Sequence, residues 1–218
     1  MRRLRTPRAV CLNCSCFRNR ISVDREKPSV IVATLRLLED GATGDNITKI
    51  EEVRDMGIRN AAKAILIDNG KMLVNKNQST LGYMCYGIPN GAIYYDLPGG
   101  GQNQYETIEE AVIRECIEES GYTVVVDRLA AIYEEISMSE QFRTEYEEYA
   151  HKVHFVFICH LSDEPLKPLA EKDLDMLESE WIPIEKINNI PLYPQIIGSS
   201  LERILKADGI IYLGSERV

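Results

Sequence analysis

Residues 100–122 read GGQNQYETIEEAVIRECIEESGY and carry the strongest structural signal in the chain. Thr107 is followed three positions later by Glu110. At a helix start, each of these side chains bonds the other's orphan backbone N–H. Gly121 stands where a left-handed helix cap belongs, so the spacing predicts a helix over 107–120. On that helix Ile108, Ala111 and Val112 form an apolar stripe on the side that also bears Glu115. Glu115, Glu118 and Glu119 lie three and four apart, so their carboxylates project from neighbouring positions. Like charges at that spacing destabilise a helix, and a carboxylate near the core edge is costly unless partnered. A hard divalent cation, Mg²⁺ or Mn²⁺, would relieve both effects, as would the adjacent Arg114. The preceding Gly99–Gly101 turn lets backbone approach a metal or an anion closely. A solvated acidic helix would account for the glutamates taken alone.

Upstream, two apolar runs at 60–68 and 71–77 flank Asn69-Gly70. That dipeptide accepts positive φ at both positions and predicts a two-residue hairpin. Residues 78–92 read as a loop and 94–97 as a short strand. Downstream, strands are expected at 122–126 and 129–136, and a charged loop at 138–149. A half-buried strand at 151–161, a short strand at 181–184 and a helix at 194–207 follow. Strands mixed with two helices make an α/β (α+β) domain, in layers of the α/β/α kind.

The chain has 218 residues, 44% hydrophobic and 27% charged, within the range of ordinary globular proteins. No apolar run reaches the roughly 20 residues that cross a bilayer, so no membrane partner is expected. A net charge of −9 makes the chain a poor general binder of nucleic acid. Basic residues crowd the start, where Arg2, Arg3, Arg5, Arg8, Arg18, Arg20, Arg25 and Lys27 face only Asp24 and Glu26. Residues 1–55 are therefore expected to be a basic N-terminal extension, disordered or not naturally translated. Glu51-Glu52-Val53 can be encoded by a ribosome-binding sequence just upstream of Met56. The globular domain is expected to span 56–218. Cys11, Cys14 and Cys16 form CLNCSC, but no second pair or nearby His completes a zinc site. Cys85, Cys116 and Cys159 are scattered singly, which fits a reducing, cytoplasmic setting.

Beside this reading, residues 100–122 closely resemble the Nudix box, G-x5-E-x7-R-E-U-x-E-E-x-G-U, where U is bulky and aliphatic. Gly100, Glu106, Arg114, Glu115, Glu118, Glu119 and Gly121 fill every fixed position. Cys116 and Tyr122 depart from it at the two U positions. Tyr105 replaces a glycine that often precedes the first Glu. The resemblance implies an α/β/α sandwich around a mixed sheet and hydrolysis of a nucleoside diphosphate linked to another group. It implies Mg²⁺ or Mn²⁺ held by Glu115, Glu118, Glu119 and the Gly100 carbonyl, with Arg114 orienting the glutamates and Glu106 bracing the loop. Glu115 and Glu118, with Arg114, are the catalytic candidates. A homodimer is a family expectation. Cations suit this chemistry because they neutralise phosphate oxygens and acidify water.

Substrate signals are thinner. Lys76 and Arg143 are candidates to hold a phosphate, and Tyr95 to stack on a base, with Tyr83, Tyr86, Tyr94 and Tyr146 as further aromatic surfaces. The proline that often marks ADP-ribose pyrophosphatases of the family, about 16 residues beyond the box, has no counterpart near Ser137. Glu134, Glu135, Glu145, Glu147 and Glu148 are candidates for a further metal ligand or base, each of them individually expected to be solvated. His154 and His160 face opposite to His151 on a strand, so the three are read as ordinary sheet histidines. Cys116 is read as a packing residue. The alternative to an enzyme is a nucleotide-sensing module on the same fold. Sensors usually lose box glutamates, and here all are kept.

Overall fold

The structure is a computed structural model, and it describes residues 57–80, 87–168 and 175–218 together with two earlier strands. The chain divides into two units, Met1–Met56 and Gly57–Val218. In the first, β1 (Phe17–Val23) pairs antiparallel with β2 (Ile31–Leu37). The CLNCSC segment, Cys85, Tyr83, Tyr86 and the proposed start at Met56 lie outside the described residues.

The second unit is organised by its first hairpin. Asn69 at φ 46° and Gly70 at φ 73° close a two-residue turn between β3 (Arg59–Asp68) and β4 (Lys71–Gln78). Only Ile67–Met72 and Asp68–Lys71 are in register across it. Beyond these pairs the strands part. β3 takes β7 (His151–Leu161) as a parallel neighbour. β4 takes β5 (Ile93–Asp96) and β8 (Met176–Pro183) as antiparallel ones. The β3 edge opened by this divergence is closed by main chain of the glycine-rich turn. Ala62 and Ala64 N–H groups donate to the Gly100 and Pro98 carbonyls at 2.8 Å each, and Gln102 N–H donates to the Asn60 carbonyl at 3.0 Å. Gly99, at φ 128°, is needed there, since a Cβ would sit 2.0 Å from the Ala62 carbonyl oxygen.

The full strand order is β10-β6-β7-β3-β4-β5-β9 with β8 beside β4, where β6 is Val124–Ile136, β9 Leu192–Tyr193 and β10 Ile211–Arg217. Helix α1 (Ile108–Ser120) packs Ala111, Val112 and Cys116 on one side of this mixed sheet, against Ala62, Ala64, Leu66 and Phe157. The last helix, Gln195–Lys206, covers the other side with Ile197, Leu201 and Ile204 against Ile65, Val74 and Val156. The result is the layered α/β/α arrangement. Among the described residues no helix is long and apolar enough to cross a membrane.

Three expectations change. The segments at 122–126 and 129–136 are one strand, β6, because bulges at Val126/Arg128 and Leu129/Ala131 absorb the turn-like Asp127-Arg128. The charged loop at 138–149 contains a short helix, α2 (Glu140–Glu145), capped by Ser139, and a 3₁₀ turn at Glu147–Tyr149. The helix Gln195–Lys206 is thus α3, and β10, which pairs parallel with β6, follows it unforeseen.

Candidate active site

The site forms where β3 and β4 separate, because α1 and the glycine-rich turn meet in that gap. Thr107 caps α1 by accepting from the Glu110 N–H, while the Glu110 carboxylate accepts from the Thr107 N–H at 2.7 Å. Gly121 ends the helix at φ 75°. These caps fix the phase of the helix, and the phase assigns three different environments to the three glutamates. Glu118 is the most exposed, its side chain 42% accessible, whereas that of Glu115 is 15% accessible. Glu119 is buried and turned inward: Oε2 accepts from Asn75 Nδ2 at 2.8 Å and from the Gly99 N–H at 2.7 Å.

Arg114 ties this group together. Its Nε and Nη2 donate to the two Glu106 oxygens at 3.1 and 2.8 Å, a forked pairing that fixes the guanidinium plane. Nη1 donates to Glu115 Oε1 at 2.7 Å and Glu118 Oε2 at 3.0 Å, and Nη2 to the Gly101 carbonyl at 2.9 Å. These bonds hold the Glu106 carboxyl below the usual carboxylate range. Burial pushes Glu115 up, against the pull of Arg114 and Lys63. Burial also pushes Glu119 up to about 8, opposed by Lys63 and assisted by Asp96.

Lys63 is a member of the site that sequence reading missed. Its Nζ donates to Asp96 Oδ2 at 3.2 Å, to the Leu97 carbonyl at 3.0 Å and to the Gly99 carbonyl. Burial alone would lower its pKa, but the nearby Asp96, Glu119 and Glu115 raise it, so the ammonium stays charged. The available signal was a lysine between Ala62 and Ala64 in an otherwise apolar strand. Asn75 and Asn77 were missed as well. Both are buried, and Asn77 Nδ2 donates to Asp96 Oδ1 at 2.9 Å while Ser179 Oγ donates to Asn75 Oδ1 at 2.9 Å.

The donor set fits a hard divalent cation. Arg114 takes Glu115 Oε1 and Glu118 Oε2, leaving the opposite oxygens, Oε2 and Oε1, for a cation. Gly100 main chain lies so near Glu115 that a Cβ there would stand 2.5 Å from the carboxyl carbon. The glycine turn and the Glu115 carboxylate are thus in close contact, and oxygen donors of this kind suit a small hard cation. Among the described residues the acidic side chains are not drawn into a closed three-ligand cluster, since Glu119 faces Asn75 and Gly99.

A cleft of about 520 Å³ opens beside Gly99–Gly101, Glu115 and Glu119. Arg59, Lys63 and Lys152 set positive charge against Asp96, Asp175, Glu115 and Glu119 in its lining, and Tyr94, Tyr146, Tyr149 and Tyr193 give it aromatic faces. Arg59 lies 4.6 Å over the Tyr149 ring. A larger hollow of about 790 Å³, between α3 and β10, contains none of the α1 glutamates.

The candidates Lys76, Tyr95 and Arg143 do not line the cleft. Lys76 pairs with Glu180 at 2.6 Å and Glu178 at 3.5 Å. Tyr95 packs against the α3-side core, because strand alternation sends Tyr94 to the cleft instead. Arg143 Nε donates to the Ser137 carbonyl. Of the outer glutamates, Glu134 Oε1 meets His151 Nε2 at 2.8 Å. Glu135 is buried, not solvated, and pairs with Lys152 Nζ at 2.6 Å. The histidines are dispersed: His160 meets Asp127 at 2.7 Å, and His154 is buried at the cleft floor. Burial pushes the Cys116 and Cys159 thiols up, Cys159 to about 12, as suits packing residues.

A cradle of carboxylates and glycine backbone, tied by one arginine, stands beside an aromatic cleft of mixed charge on a layered α/β/α fold. The family model described as NUDIX domain matches residues 57–202, well over half of the chain, and the chain belongs to the Nudix family. A NUDIX hydrolase from Nitrosomonas europaea is similar at 18% identity over 67% of this chain and 87% of that one, with a TM-score of 0.51. A second structure of a NUDIX hydrolase from that organism is similar at 15% identity over 95% and 98% of the two chains, with a TM-score of 0.50. An ADP-ribose pyrophosphatase from Streptococcus suis is similar at 15% identity over 72% and 99%, with a TM-score of 0.47. For the two Nitrosomonas europaea structures, at these identities, the likeness concerns the fold. No curated protein matches the chain.

Proposed function

We propose that this protein hydrolyses the diphosphate linkage of a nucleoside diphosphate derivative, with water attacking at phosphorus, in the cytoplasm and with Mg²⁺ or Mn²⁺ as cofactor. The observation that carries the reading is the Glu115 carboxylate packed against Gly100 main chain at the mouth of the cleft. The cation would be held by Glu115, Glu118, Glu119 and the Gly100 carbonyl. When bound, it neutralises phosphate oxygens and acidifies water. Arg114 orients Glu115 and Glu118, and Glu106 fixes Arg114 in turn. Lys63 supplies a fixed positive charge beside Gly99. Glu115 or Glu118 accepts the proton of the attacking water. The tyrosines of the cleft offer stacking faces for a base. A homodimer is compatible with the family.

The test is hydrolysis across nucleoside triphosphates, ADP-ribose, nucleotide sugars, dinucleoside polyphosphates and NADH, in Mg²⁺ and in Mn²⁺. Glu118→Gln is run beside wild type. At least one substrate should be cut, and Glu118→Gln should lower kcat at least about a hundredfold, the scale of losing one transition-state charge stabiliser. Tight binding without any turnover would favour a sensing role instead.

A further inference from the structure

Beside the cleft, two neighbouring buried polar side chains have unfinished hydrogen bonding. His154 on β7 and Glu135 on β6 are each 4% exposed. Among the described residues neither ring nitrogen of His154, nor Glu135 Oε2, has a hydrogen-bond partner. His154 Nε2 stands 3.9 Å from Glu135 Oε2, beyond hydrogen-bond range. Leaving such groups unpaired is costly, and folded proteins seldom keep them without use. Both residues are otherwise well anchored. Lys152 Nζ holds Glu135 Oε1 at 2.6 Å, and the Tyr133 ring lies 5.7 Å from the imidazole. His154 lines the cleft, while Glu135 stands behind it.

The chemistry of the pair sets what it can recognise. Burial, with Lys152 and Lys63 nearby, holds the imidazole well below its ordinary range, so it is neutral at pH 7. A neutral imidazole has one N–H and one bare nitrogen. A carboxylate only accepts, so a small closure lets His154 donate its N–H to Glu135 Oε2. The bare nitrogen is then left without a donor, on a residue that lines the cleft. We infer that His154, positioned by Glu135, is a specificity residue that accepts a hydrogen bond from an O–H or N–H donor on the nucleoside part of the substrate. The inference rests on the proposed nucleotide-derivative reading. The donor has two sources, a ribose hydroxyl or a base amino group.

Calorimetry with non-hydrolysable α,β-methylene-ADP in Mg²⁺ tests this, with its 2′-deoxy, 3′-deoxy and inosine counterparts as arms. Wild type should bind the parent about tenfold more tightly than the analogue lacking the donor. Loss on either deoxy analogue identifies the ribose, and loss on the inosine analogue identifies the base. His154→Phe should erase that ratio. Glu135→Gln should weaken it, because an amide can also donate and reverse the imidazole tautomer. In wild type, the ¹⁵N signals of the His154 ring should move to a single tautomer on adding α,β-methylene-ADP, a readout that requires no variant to fold. Equal affinity for all four analogues, no binding by wild type, an unchanged ratio in His154→Phe, or unmoved ring signals would overturn the inference. Discriminating binding without hydrolysis of any substrate would leave it standing while the hydrolase reading fell.

Discussion

Glu119 shows how one residue can carry both a stability term and a functional one. Its carboxyl sits 7% exposed between Asn75 and Gly99, and its pKa is pushed up to about 8. In the unfolded chain it returns to about 4.5. The folded state therefore binds the extra proton between these values, and its stability falls as pH rises through that window. The contribution is full below about pH 4.5 and gone above about pH 8. In EDTA, thermal unfolding followed by circular dichroism should show a midpoint falling by several degrees from pH 5 to pH 8, and Glu119→Gln should flatten that fall. A wild-type midpoint that holds or rises would refute the assignment. Adding Mn²⁺ should oppose the fall, since a cation competes with the proton and gains affinity as pH rises. The glutamate trio was legible because i, i+3, i+4 spacing is a property of sequence. The inward turn of Glu119 was not, because Asn75 and Gly99 reach it from a strand and a turn far along the chain.

At the scale of elements, local signals were read most reliably. The Thr107–Glu110 box and the Asn69-Gly70 turn each satisfy their backbone groups within a few residues, so short sequences specify them. Elements specified by distant neighbours were misread. Asp127-Arg128 looks like a turn until β7 pairs across it and the bulges keep β6 whole. β10 exists as a strand because β6 offers it a parallel edge. The α1 cap also aims the catalytic candidates, since Arg114, Glu115 and Glu118 all lie on the helix it phases. Thr107→Ala should cost about 1 kcal/mol of stability, read as a lower midpoint in urea unfolding with an unchanged slope. Glu110→Ala should cost less, because only the Thr107 N–H then loses its partner. Equal midpoints for Thr107→Ala and wild type would mean that packing against the sheet, rather than the cap, fixes the helix start.

For the whole molecule, net charge and sheet geometry act together. A chain of net charge −9 repels a nucleotide at long range, whatever the cleft offers at short range. Arg59, Lys63 and Lys152 offset this locally, but Lys63 and Lys152 are already paired with Asp96 and Glu135. A divalent cation at Glu115 and Glu118 would turn the mouth of the cleft from repulsive to attractive. Metal and nucleotide should therefore bind with positive coupling, each raising the other's affinity by the same factor. The splay of β3 from β4 opens between parts of one folded sheet, so ligands that bind there should stabilise the domain. The check is differential scanning calorimetry of the full chain with α,β-methylene-ADP alone, with Mn²⁺ alone and with both. At about 100 times Kd a ligand specific to the folded state adds about 2.7 kcal/mol. The shift with both ligands should exceed the sum of the separate shifts, and raising the salt should narrow the difference. Purely additive shifts would mean that the two bind independently, and the carboxylate cradle would then be unrelated to the cleft beside it.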